Sequence, residues 1–172
     1  AIFERQYLGG EPGKFVPIVT DFTRSTQPII RYWLGDILSD GKGCDCGSVY
    51  ATIGGVVGRM QDCIVLPAQA GDRRADGVVR ILPDSVGRVF LHSGSTRDVI
   101  SDYQVEQTAR DRLVISLPSD LLDSDVQEQI ATGIKELCES RGAASPSLSF
   151  EPLVRKSDFV IKRRRVQGLA DT

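Results

Sequence analysis

"SDVQEQIATGIKELCESRG" (residues 124–142) is the best-specified helix of this 172-residue chain. Ser124 and Gln127 fit the S-x-x-Q capping box, in which each side chain satisfies a free backbone N–H of the first turn. Val126, Ile130, Ile134 and Leu137 fall on one apolar stripe, and Gly142 stands where a left-handed C-terminal cap is wanted. Such a stripe needs a sheet to cover, and strand signals flank it. Upstream, "DYQVEQTARDRLVISLP" (102–118) alternates cleanly at Tyr103, Val105 and Gln107, and again at Leu113, Ile115 and Leu117, about a turn at "ARDR". Downstream, "SLSFEPL" (147–153) reads as a further strand. Earlier still, "CIVLP" (63–67) is a short strand, "AQAGDRRADG" (68–77) a polar loop, and Pro83 and Asp84 open a second helix in "LPDSVGRVFLH" (82–92). Residues 63–172 therefore read β-α-β-β-α-β, the order of a small ferredoxin-like α+β domain.

Residues 1–60 have another texture and show no helix signal. "IFERQYL" (2–8) and "KFVPIVTDF" (14–22) form a hairpin about "GGEPG" (9–13). "PIIRYWLGDIL" (28–38) follows a polar loop, and "VYATIGGVVGR" (49–59) follows the Gly-rich turn "SDGKGCDCGS" (39–48). This part reads as all-β, with the junction to the second domain at Gly58–Asp62. Its opening strands look like the middle of a sheet already under way, so a piece of a longer protein is expected.

Composition narrows the classes. With 41% hydrophobic and 26% charged residues the chain is of the globular type. A formal charge of −2 gathers neither nucleic acid nor anionic lipid. No apolar run approaches the ~20 residues that span a bilayer, and no signal-peptide layout opens the chain. The cytoplasm is the default expectation, with neither nucleic acid nor membrane as a partner. The basic run "KRRRV" (162–166) lacks the stacking aromatics of an RNA-binding sheet. Cys63 and Cys138 sit in apolar or helical surroundings that suit small buried hydrophobes. Cys44 and Cys46 have two readings, half of a zinc site or a reduced pair in a tight turn. C-x-C without further ligands is a poor zinc signal, so no metal is assigned. His92, the one histidine, reads as a helix-end residue.

Three short stretches stand in order: "RYWLGD" (31–36), "GRMQD" (58–62) and "KRRRV" (162–166). Singly they are a turn, a loop and a solvated basic run. Together, with "CDCG" (44–47) between the first two, the chain resembles the C-terminal portion of the adenylate-forming ligases. The likeness is to the phenylacetate–CoA ligase branch and the related coenzyme F synthetases. There a strand ends in R-Y-R-T-G-D, a Cys-containing turn follows, G-R-x-D-D opens a mobile C-terminal domain, and the last strand carries G-K-x-x-R-V. The resemblance implies that residues 1–60 are the barrel-like, β-rich edge of a larger adenylation core. Residues 61–172 would be the mobile domain.

It further implies ATP with Mg2+, a small carboxylic acid activated as acyl-AMP, and coenzyme A as a possible acceptor. The missing N-terminal core becomes the physical partner. Lys162 corresponds to the lysine that reaches the carboxylate and the α-phosphate. Negative charge grows on the phosphoryl oxygens there, and a compact cation on a long stem stabilises it. Asp36 matches the carboxylate that grips the ribose diol, and Arg59 the arginine that braces the nucleotide. Arg31 has two roles open to it, orienting Asp36 or approaching a phosphate. The hinge falls on Gln61 or on Asp62. Two departures stand out: a longer loop before Pro83, near the family's thiol entrance, and Ile161 where the family has Gly before its lysine. The rival reading is a small-ligand-binding regulatory α+β module without catalysis, which has no reason to carry "RYWLGD" and "GRMQD" together.

Overall fold

In the computed structural model, which describes residues 1–23, 26–71, 77–92, 100, 102–154 and 164–169, the chain divides into two units, Ala1–Met60 and Gln61–Thr172. In the first, β1 (Ile2–Tyr7) and β2 (Lys14–Asp21) form the expected antiparallel hairpin, with Tyr7 opposite Phe15 beside the turn. The stretch that reads as one strand in the sequence is two. β3 (Ile29–Trp33) pairs with the distal part of β2, and β4 (Asp36–Asp40) pairs with its start. Gly35 makes the break at φ +78°, a backbone state that residues with a Cβ rarely adopt. β5 (Ile53–Arg59) lies antiparallel to β4.

The sheet order is β1-β2-β4-β5, with β3 beside β2. That is an open sheet. Among the described residues β1 and β5 form its two ends, so these strands by themselves do not close the barrel-like arrangement the resemblance implies. Few side chains of this unit are shielded: Phe15, Val16, Pro17, Ile37 and Leu38 are buried, whereas Ile2, Phe3, Phe22, Ile30, Val49 and Val56 stand exposed.

The second unit is α+β. β6 (Ile64–Pro67) and β7 (Val78–Ile81) pair as a separate two-stranded sheet. α1 (Pro83–His92) follows, then the hairpin β8 (Gln104–Ala109) and β9 (Arg112–Leu117). α2 (Ser124–Arg141) crosses over to β10 (Ser147–Pro152), which runs parallel to β9. The short β11 (Val166–Gln167) is parallel to β8, giving the order β10-β9-β8-β11.

The ferredoxin-like expectation is corrected here. That arrangement puts the first strand inside the four-stranded sheet, but β6 is taken by a local partner, β7, which the sequence reading left unassigned. A neighbour a few residues away costs less loop entropy than a distant sheet position.

The core gathers Ile64, Val86, Phe90, Val105, Ile115 and Ile130 with their neighbours. Phe90 and Tyr103 stack nearly parallel with ring centroids 3.9 Å apart. The cap of α2 is one residue earlier than the capping-box reading: Asp123 is the N-cap and accepts from the Val126 N–H at 2.9 Å. Asp is as good a cap as Ser, and Gln127 donates instead to the Leu122 carbonyl. Cys138, not Leu137, completes the fully buried stripe after Val126, Ile130 and Ile134. Gly142 does take the left-handed cap, at φ 71°.

Truncating the fully buried Ile130 to Ala should cost about 2–5 kcal/mol, read as a lower urea midpoint with unchanged slope. Burial pushes the Cys138 thiol up from 9.0 to about 11, with Glu139 adding to the shift. The stability that comes from keeping this thiol neutral is fully present below about pH 9 and is lost as pH climbs towards 11. Alkylation of native protein at pH 8 should therefore leave Cys138 unmodified, and unfolding in urea should expose it.

Candidate functional site

Asp36 is the first residue of β4 and Arg59 the last of β5, and the antiparallel register sets them opposite each other. Arg59 Nε donates to Asp36 Oδ1 at 3.1 Å. Both side chains remain open to solvent, 33% exposed for Asp36 and 50% for Arg59. An ion pair this wet contributes about 0–1 kcal/mol to stability, so the fold does not depend on it.

The pair is positioned by the backbone before it. Gly35 turns the chain, its carbonyl accepts from the Met60 N–H at 2.9 Å, and a Cβ on Gly35 would meet the Trp33 ring at 3.2 Å. The sequence shows Gly35-Asp36 as turn punctuation. It does not show that Gly35 also closes the β4–β5 ladder at the Arg59–Met60 end.

Arg31 belongs to another contact. Its guanidinium pairs with Glu4 on β1 at 3.2 Å, and its backbone N–H donates to Thr20 Oγ1 at 3.0 Å. It alone among the described non-glycine residues has positive φ, +47°, beside the register shift between β2 and β3. Such strain of order 1–3 kcal/mol persists where surroundings enforce it. Of its two candidate roles, orienting Asp36 is corrected, because Arg59 does that. Glu4 was missed because its proximity to Arg31 arises only when β3 folds back along β2.

Gln61 and Asp62 lie in a single 3-10 turn, Met60–Asp62, and both face Arg164. Lys162 falls outside the described residues. Cys44 and Cys46 are joined to each other as a disulfide, their Cα atoms 5.2 Å apart and within the usual range for such a bond. The sequence reading had this pair as reduced. Among the described residues no group of three or more His, Cys, Asp or Glu is arranged to hold an ion. Away from these positions, a groove of about 840 Å³ runs between α1 and α2, lined by Arg88, Glu128, Thr132, Glu136 and Arg141 among others. No helix among the described residues is long and apolar enough to cross a membrane.

No family model matches the chain. A curated relative, phenylacetate-coenzyme A ligase of Thermus thermophilus, is 29% identical over 101 residues, which is 56% of this chain and 20% of that protein. Among solved structures, 2-hydroxyisobutyryl-CoA ligase in the postadenylation state, in complex with 2-HIB-AMP, superposes with a TM-score of 0.51 at 20% identity. That match covers 92% of this chain and 32% of the ligase. The same ligase in complex with R3-HIB-AMP gives 0.51 at 19% identity over the same shares. At such identity the structural likeness speaks for the fold alone. The chain spans between a fifth and a third of the length of these relatives. In sequence and in fold, this chain resembles a portion of an adenylate-forming ligase of the phenylacetate–CoA ligase branch.

Proposed function

We propose that this chain is the C-terminal part of an ATP-dependent ligase that activates a small carboxylic acid as acyl-AMP, with coenzyme A as the onward acceptor. The observation that carries the reading is the Asp36–Arg59 pair, set at the end of β4–β5 and directly before the junction between the two units. Asp36 spends one oxygen on Arg59, and a carboxylate has about four lone-pair sites, so capacity remains for a ribose diol. Arg59, always charged, braces the nucleotide beside it. Arg31 keeps its second role, approach to a phosphate, from its place opposite Glu4.

The chemistry asks for a cation where charge develops. As the acid attacks the α-phosphorus and pyrophosphate leaves, Lys162 neutralises the phosphoryl oxygens and steers the carboxylate. Mg2+ supplies further positive charge on the phosphates when bound. Gln61–Asp62 forms the joint through which the second unit, carrying Lys162, is brought to the reaction. The exposed apolar side chains of residues 1–60 support a further part of the ligase core packing on this sheet. Exposed Ile, Phe and Val side chains in such number are expensive to leave wet.

The regulatory reading has one feature in its favour, the groove between α1 and α2. It would be preferred if a small molecule bound there with no effect of Asp36 substitution on nucleotide binding.

In the intact protein, exchange of labelled pyrophosphate into ATP should depend on addition of a small carboxylic acid. Lys162→Ala should lower that exchange about 10²–10³-fold with the thermal midpoint unchanged. Unchanged exchange would remove Lys162 from the mechanism. Asp36→Asn should raise the KM for ATP about tenfold, yet shift folding stability by less than about 1 kcal/mol. A large stability loss without a change in KM would mark the pair as structural.

A further inference from the structure

The second unit is fastened at its two ends by one side chain. Arg164, from the exit of the unit, reaches residues 61 and 62 at its entrance. With its amide oxygen turned to the guanidinium, Gln61 accepts from Nη2 at 2.8 Å and from Nη1 at 3.3 Å. Asp62 Oδ1 is sealed from solvent and takes no hydrogen bond from a described residue. The charge that faces it is Arg164, with Nη1 at 3.4 Å. The Asp62 side chain is only 15% exposed, so its carboxylate has given up most of its hydration. Removing the partner of such a charge is far costlier than removing an exposed one. An arginine suits the task because its planar fork addresses an amide and a carboxylate together.

The backbone of the exit segment is seated on the same unit beside that contact. Val105 N–H donates to the Arg165 carbonyl at 2.7 Å, and Val166 lies in register with Val105. Gln107, 3% exposed, accepts from Val65 N–H at 2.9 Å and from Leu169 N–H at 3.4 Å, tying β6 to the exit segment through one amide. Gly168 packs so closely that a Cβ there would lie 2.1 Å from the Cys63 carbonyl oxygen.

We propose that Arg164 is a positioning residue that clamps the entry segment, Gln61–Cys63, onto the exit segment, Arg164–Leu169. The clamp ties the second-unit side of the Gln61–Asp62 joint to the exit segment. The functional consequence rests on the ligase reading. Lys162 precedes Arg164 by two residues, and two residues of chain span at most about 7 Å. Whatever anchors Arg164 therefore bounds the reach of the lysine.

The test compares wild type, Arg164→Gln and Arg164→Lys in the intact protein, by amide hydrogen exchange and by pyrophosphate exchange. In Arg164→Gln the amides of Val105 and Leu169 should exchange about tenfold faster or more, while those of β9 and α2 keep their rates. Arg164→Lys, which keeps the charge but not the fork, should recover part of that protection. Unchanged rates at Val105 and Leu169, or uniform acceleration everywhere, would overturn the clamp. If wild type is active, Arg164→Gln should lower kcat about tenfold and leave the KM for ATP unchanged. Accelerated amides with unchanged kcat would retain the clamp and overturn its role in placing Lys162. If wild type shows no exchange with any acid tested, the ligase reading fails, and the amide data still decide the clamp.

Discussion

Parallel strands cannot be joined by a tight turn, and the second unit is organised around that constraint. β9 and β10 run parallel, so the chain between them must cross one face of the sheet, and α2 is that crossing. The helix has to be apolar on one side at a helical period, capped at both ends and long enough to return to the start of β9. Asp123, the Val126–Ile130–Ile134–Cys138 stripe and Gly142 meet those needs. Once α2 lies on the sheet, α1 has a surface to pack against. The approach is tight enough that a Cβ on Gly133 would meet Val89 Cγ1 at 2.7 Å.

The first unit is governed differently. Its strands are held by a ladder of backbone hydrogen bonds and by few buried side chains. Its geometry depends on where the backbone can bend. Gly35 is the decisive break: β3 and β4 run the same way along β2, and the register after the glycine sets Asp36 against Arg59. A solvent-facing ion pair at the end of such a ladder adds little to the fold. Arg31 is the counterexample. It is strained, and it is engaged by Glu4 from a strand that the sequence places far away.

Much of this architecture can be read locally. The first hairpin, α1, the β8–β9 pair, α2 and β10 follow from periodicity, caps and turn residues, because those signals act over a few residues. The motifs "RYWLGD" and "GRMQD" mark the positions that meet at the end of β4–β5, since they carry a family pattern in order. What was misread was non-local or ambiguous by one residue. The N-cap slipped from Ser124 to Asp123 because adjacent residues were both competent caps. β7 escaped notice because four residues beside a polar loop give too short a pattern. The disulfide between Cys44 and Cys46 joins two residues whose surroundings looked like an ordinary reduced turn.

The sequence by itself determined most of the elements, the α+β class and the identity of the charged residues, because helix and strand propensity, capping and motif order are written within short windows. Only the tertiary structure decided which strands share a sheet, that Asp36 is held by Arg59 and not Arg31, and that Arg164 reaches back to Gln61 and Asp62. Those outcomes depend on pairings between residues tens of positions apart. There, loop entropy, register and the desolvation of a single carboxylate select among partners that the sequence leaves equivalent.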